Sequence, residues 1–178
     1  MKMIAYMGVS LDGYIADKAG GVDWLNELPI PEGDDLGFST FMAGIDALLM
    51  GSNSFRTILQ IGDWYYDKPV YVASNSIQLI PEGYQERIKL IQGDIHELLA
   101  QLEGDGHQNI YVDGGKIVQA CIQADLLDEL IITHIPVLLG DGISLFGKLE
   151  RSKTLEHRQT EVLGYGLVKS HYLIRNNR

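Results

Sequence analysis

The chain has 178 residues, 46% of them hydrophobic and 21% charged, which suits one folded domain over 1–178 and excludes a disordered chain. Twenty-four acidic against 14 basic side chains give a net charge of −10, which argues against nucleic acid as a partner, because that binding relies on Lys and Arg displacing counterions from phosphates. Cys121 is the single cysteine, so an intrachain disulfide is excluded, and no apolar run approaches the roughly 20 residues that span a bilayer.

The N-terminal apolar run carries one charge and reaches Asp12 too soon to be a signal peptide, so a cytoplasmic protein without membrane association is expected. Residues 4–9 read as the first strand: short, apolar and bounded by turn residues. The loop Ser10-Leu11-Asp12-Gly13-Tyr14-Ile15-Ala16 follows it and runs on through Gly20-Gly21 and Asp23-Trp24, a long excursion of the kind that forms lids. Phe38, Phe41, Met42 and Ile45 then fall at i, i+3, i+4 and i+7, the spacing of a helix with one apolar face, and Asp34 or Asp35 is placed to cap it.

Residues 47–50 form the second expected strand, followed by Gly51-Ser52-Asn53-Ser54 and a helix start. Residues 70–73 form the third, followed by Ser74-Asn75-Ser76, and residues 88–91 the fourth. Ile95, Leu98, Leu99 and Leu102 repeat the helical spacing, with Asp94 as cap and Gly104 as stop. A fifth strand at 110–112 runs into Asp113-Gly114-Gly115-Lys116 and a helix to about 124, with Ile117, Val118, Cys121 and Ile122 inward, so that Cys121 reads as a small buried hydrophobe. After that the pattern changes: 130–137 is a strand, 162–174 holds at least one more, and no convincing long helix lies between. Alternating strand–helix units with a strand-only ending imply an α/β fold. Its sheet is mixed, mostly parallel and of about eight strands, with antiparallel strands at one edge and helices on both faces.

Ligands of open α/β sheets bind beyond the carboxyl ends of the strands, so the turns there are the candidate site. Gly114 and Gly115 would let a pyrophosphate approach free backbone N–H groups at a positive helix end, with Lys116 adding charge; the alternative is a tight turn that simply needs glycine. Gly51-Ser52-Asn53-Ser54 and Ser74-Asn75 are donor-rich turns of the same kind, or ordinary caps. Trp24 and Trp64 read as packing residues or as ligand contacts. The five histidines show no metal-type spacing, no serine sits in a nucleophile elbow, and Gly-x-Gly-x-x-Gly after the first strand is absent, so no metal is expected.

Taken together, the segment 10–16, Asp23-Trp24-Leu25, Leu49-Met50-Gly51-Ser52-Asn53-Ser54-Phe55, Tyr111-Val112-Asp113-Gly114-Gly115, Leu127-Asp128-Glu129, the run 136–142 and Leu145-Phe146 resemble the dihydrofolate reductase-like superfamily. More closely they resemble its riboflavin-biosynthesis reductase branch, the C-terminal domain type of bifunctional deaminase-reductases. The resemblance covers nearly the whole chain. It implies a three-layer fold, commonly a homodimer, that binds NADPH in an extended pose. Contacts would come from Ile15, Ala16, Gly51, Ser52, Asn53, Ser54, Ser74, Asn75, Gly114, Gly115 and Lys116, with Trp24 and Asp141 toward the substrate.

Two departures bear on specificity. The arginine that pairs with the 2′-phosphate of NADPH in the family pattern is Ser52 here, so NADH is also possible. Where folate-reducing members hold the substrate's carboxylate with arginine, the best match is Asp67, which points instead to a small pterin- or pyrimidine-like heterocycle. Asp35 resembles the active-site carboxylate of folate-reducing members, with Asp12 its rival and Asp141 a more distant third; the residues of this segment by themselves read Asp35 first as an N-cap or first-turn acid favoured by the dipole. The expected activity is NAD(P)H-dependent reduction, and the alternative is a non-catalytic nucleotide-binding protein on the same scaffold.

Overall fold

The computed structural model describes residues 1–62 and 64–175. In chain order the elements are β1 (Lys2–Ser10), β2 (Tyr14–Ala16), α1 (Phe38–Met42), β3 (Ala47–Gly51), α2 (Ser52–Ile61), β4 (Val70–Ala73), β5 (Ile88–Ile91), α3 (Ile95–Gly104), β6 (Asn109–Asp113), α4 (Gly115–Gln123), β7 (Glu129–Ile135), β8 (Ile143–Ser144), β9 (Leu155–Gly164) and β10 (Leu167–Ile174). Eight strands form one sheet in the order β5-β4-β3-β6-β1-β7-β10-β9, and β2 pairs with β8 in a separate ribbon. β1 and β3 to β7 run parallel to one another, while β10 is antiparallel to both β7 and β9. This is the mixed, mostly parallel sheet expected from the alternation.

The side chains of β1 show why helices cover both faces. Successive residues of a strand point to opposite sides. Met3, Ala5, Met7 and Val9 enter one core with Leu98, Leu99 and Leu102 of α3 and Val118, Cys121 and Ile122 of α4. Ile4 enters the other with Met42 of α1 and Phe55 and Ile58 of α2. Cys121 is fully buried, as its place on the apolar face required.

Three local expectations are corrected. The helix after Asp35 spans Phe38–Met42 and stops at Ala43-Gly44, although Ile45 still packs inward. The excursion after β1 is not all loop, because Tyr14 and Ala16 pair with Ser144 and Ile143. The C-terminal segment, expected to hold at least one strand within 162–174, is a hairpin of two long strands, the first of which starts before 162. β9 begins at Leu155 and turns through Tyr165-Gly166, both with positive φ, 54° and 78°. β9 lies at the sheet edge with most residues exposed, so its polar sequence carries no apolar alternation to mark it.

Candidate active site

The register of the parallel strands sets three turns side by side at the carboxyl edge. Met50 of β3 pairs with Asp113 of β6, and Gly51 pairs with Ala73 of β4. The turns starting at Gly51, Ser74 and Asp113 are therefore neighbours. Helices α2 and α4 begin in the first and third of these turns with glycine N-caps, Gly51 and Gly114, and no side chain caps either one. Their first N–H groups are left to a ligand or to water. Gly114 has φ +91°, and a Cβ there would lie 2.3 Å from Ser54 Oγ and 4.0 Å from the Gly51 amide nitrogen. Only glycine lets the two turns approach this closely.

Gly115, the first residue of α4, also packs against the β2–β8 ribbon. A Cβ there would meet Ile15 Cδ1 at 2.7 Å and the Ser144 carbonyl at 3.5 Å, so the missing side chain makes room for the β2–β8 ribbon. Ile15 thus lies on the Gly-Gly turn. Ala16 is buried, and its backbone is committed to pairing with Ile143. Gln119 of α4 anchors the ribbon by donating to the carbonyls of Ser144 and Leu145, at 3.0 and 3.1 Å.

Asp113 is the last residue of β6, immediately before the Gly-Gly turn. β6 adjoins β1, where the connections leave in opposite directions along the sheet, the usual place for a crevice. The Tyr111 hydroxyl donates to the Tyr6 carbonyl at 3.1 Å and lies 3.4 Å from Asp113 Oδ1. Burial pushes the Asp113 carboxyl up to about 6, although the Tyr111 hydroxyl and the Gly114 N–H favour the anion. Beyond Tyr111, Tyr6 stacks on Phe41 at 4.5 Å between ring centroids and forms a wall of a cleft of about 260 Å³, together with Gly37, Ile131, Lys169 and His171.

The other acids named from sequence are engaged elsewhere. Asp12 accepts from Ser10 Oγ at 2.6 Å and from the Leu139 and Gly140 N–H groups at 3.2 and 2.8 Å, tying the loop after β1 to the loop after β7. These bonds hold its carboxyl below the usual range. Asp35 accepts from the Gly37 and Ser39 N–H groups at 2.9 and 2.8 Å and is likewise lowered, chiefly by Ser39. It, rather than Asp34, caps the turn into α1. Asp141 pairs with Lys18 at 2.7 Å, and both are exposed. Asp67 and Lys116 are exposed.

Ser74 is buried, and its Oγ accepts from the Ser76 and Ile77 N–H groups at 3.1 and 2.9 Å, closing the turn after β4; Asn75 is exposed beside it. Trp24 sits in the short 3-10 turn Asp23–Leu25, and its buried Nε1 has no hydrogen-bond partner among the described residues. Trp64 Nε1 shares that condition, but its ring packs among Phe55, Tyr66 and Tyr84. An unpartnered buried N–H is a group that a ligand or water would satisfy.

The RibD C-terminal domain family matches residues 1–169. The chain belongs to that family. Among solved structures, a protein of Shewanella sp. PV-4 provisionally assigned to riboflavin biosynthesis superposes with a TM-score of 0.93 at 40% identity, covering 99% of this chain and 100% of that one. A diaminohydroxyphosphoribosylaminopyrimidine deaminase/5-amino-6-(5-phosphoribosylamino)uracil reductase of Thermotoga maritima superposes with a TM-score of 0.74 at 13% identity, a likeness of fold that covers 98% of this chain and 56% of that one. The uncharacterized protein YwjB of Bacillus subtilis (strain 168) is 35% identical over 97% of both chains. The architecture is thus the dihydrofolate reductase-like one that the motifs resembled.

Within this RibD-like frame, two residues escaped the sequence reading. Asp113 was visible as part of a turn, and Tyr111 lies two residues before it on the same strand, but the burial that raises its carboxyl is made only by the folded chain. Arg56 lies one helical turn beyond Ser52 and reaches back over the turns after β3 and β4. The i+4 spacing from Ser52 was the available signal.

No helix among the described residues is long and apolar enough to cross a membrane. Among the same residues, no group of three or more His, Cys, Asp or Glu side chains could hold a metal ion.

Proposed function

We propose that this RibD-family protein is a nicotinamide-dependent reductase of a small pyrimidine- or pterin-like heterocycle. The observation that carries the reading is the pair of uncapped helix starts at Gly51 and Gly114, set so close that a Cβ on Gly114 would strike Ser54. Such paired N-termini fit a diphosphate, whose charge complements the two positive helix ends. NADPH or NADH, when bound, supplies a hydride to an electrophilic carbon.

The chain's own residues divide the remaining work. The N–H groups that open α2 and α4 bind and orient the diphosphate, Ile15 closes the ribbon over the Gly-Gly turn, and Tyr6 with Phe41 offers an aromatic wall for a flat ring. The proton comes from the Asp113 carboxyl in this reading. A carboxyl raised to about 6 is protonated often enough near neutral pH to donate, whereas Asp12 and Asp35 are held as anions by backbone N–H groups. Asp12 then positions the two loops at the strand ends, and Asp35 fixes the entry to α1.

Titration of the protein with NADPH and NADH, followed by cofactor oxidation with a panel of pyrimidines and pterins, tests the reading. Micromolar binding with turnover of at least one heterocycle is expected. Absence of dinucleotide binding would overturn the reading, and binding without turnover across the panel would leave a nucleotide-binding protein on a reductase scaffold.

A further inference from the structure

Arg56 projects from the first turns of α2 at the carboxyl edge of the sheet. Its Nη1 donates to Asn53 Oδ1 at 3.2 Å and its Nη2 to Ser76 Oγ at 3.0 Å. The guanidinium therefore spans two turns from neighbouring strands, the one after β3 and the one after β4. Both partners are neutral. None of the ion pairs among the described residues involves Arg56, whereas Arg151, Arg158 and Arg175 each meet a carboxylate. In a chain of net charge −10, this is a cation steadied by dipoles at the rim of the cradle without being neutralised.

A guanidinium has five N–H donors in a planar fork, so the bonds to Asn53 and Ser76 fix its plane and leave further donors available. The hydroxyls of Ser52 and Ser76 and the amide of Asn75 lie on the same two turns. An arginine among neutral hydroxyls and amides is the composition of a phosphate site. The diphosphate cradle is centred on β6 and β3, and Arg56 lies on the β4 side of it, one strand further along the sheet. A ligand phosphate meeting Arg56 is therefore distinct from the pair held at Gly114.

We propose that Arg56 recognises the 2′-phosphate on the adenosine ribose of the cofactor, supplying from one helical turn further on the charge that Ser52 lacks, and so makes the protein select NADPH over NADH. The proposal rests on the dinucleotide reading above. It gives Arg56 a specificity role toward the adenosine end and none in the reduction itself.

Isothermal titration of the wild type, Arg56→Gln and Arg56→Lys with NADPH and NADH, and with 2′,5′-ADP and 5′-AMP, tests it without any turnover. The wild type should bind each 2′-phosphorylated ligand at least about tenfold more tightly than its partner, equivalent to about 1.4 kcal/mol, with an advantage that shrinks as salt is raised. Arg56→Gln should bring each pair within about twofold and remove the salt dependence, leaving NADH affinity and the melting temperature unchanged. Arg56→Lys should keep part of the preference. A wild type that binds NADH as tightly as NADPH, or an Arg56→Gln variant that keeps the wild-type ratio, would overturn the assignment while the dinucleotide reading stands. Failure of the wild type to bind either dinucleotide would overturn both.

Discussion

Helices α3 and α4 each follow a parallel strand and begin at the same edge of the sheet, yet their first turns are finished in opposite ways. At α3 the Asp94 side chain accepts from the His96 and Glu97 N–H groups at 2.9 and 3.0 Å, and Glu97 accepts in return from the Asp94 N–H at 2.8 Å. That capping box satisfies the free donors within the chain and contributes about 1 kcal/mol. At α4, and equally at α2, the cap is a glycine, and nothing among the described residues replaces the side chain. The capped helix follows the edge strand β5, and the uncapped ones follow the central strands β6 and β3. In the proposed reading, the two central helix starts are left open for the cofactor's diphosphate.

The most damaging way to break that contrast is to fill the open end. Gly114→Val places a branched side chain at φ +91° against Ser54 Oγ, so dinucleotide affinity should fall at least about a hundredfold and stability by about 2–3 kcal/mol. Cofactor fluorescence titration and thermal melts measure the two effects. Wild-type affinity in a folded variant would show that the close approach is structural only.

Asp113→Asn acts on the residue beside that end. Burial raises the Asp113 carboxyl from 3.8 to about 6, so the folded state holds a proton that the unfolded chain releases between those values. Stability should therefore fall as pH rises through about 4 to 6, by at most about 3 kcal/mol, and then level off. The asparagine variant should lose that slope, which urea denaturation between pH 4 and 8 measures. In the proposed reaction it should also lower the turnover rate by about 10²- to 10⁴-fold with cofactor binding kept. An unchanged pH profile would move the proton source elsewhere.

The smallest change is expected at the finished end. Asp94→Ala removes the side-chain acceptor of the capping box, leaving only the Glu97 bond to the backbone N–H of residue 94, and should cost about 1 kcal/mol, a few degrees in melting temperature, with NADPH affinity unchanged. A loss of affinity there would mean that the start of α3 belongs to the site and that the contrast between the helices is false.

Much of this was written locally. Asp94 with Glu97 three residues on, the leucines at 98, 99 and 102 and the stop at Gly104 define α3 without reference to anything else. The parallel strands are legible for a similar reason, since strands such as β3, buried along Ala47–Met50, must be almost wholly apolar. The ribbon of β2 and β8 was not legible, because two short strands become strands only when Tyr14 meets Ser144 across the fold. Nor was β9, whose edge position asks nothing apolar of most of its residues.

The same division runs through the site. Composition and turn chemistry established by themselves an acidic α/β protein with glycine-rich turns after its central strands, because glycine and capping residues act within a few positions of the backbone they shape. The partners of those turns were decided only by the tertiary structure. Parallel pairing of β3, β4 and β6 brought Gly51, Ser74 and Gly114 together, gave the space beside Gly115 to Ile15, and laid Arg56 across to Ser76. Burial in the folded sheet raised the carboxyl of Asp113, and the same folding brought the Tyr111 hydroxyl to the carbonyl of Tyr6, 105 residues away in the chain. Desolvation and steric exclusion depend on which atoms surround a group, and residues distant in sequence become neighbours only when the sheet forms.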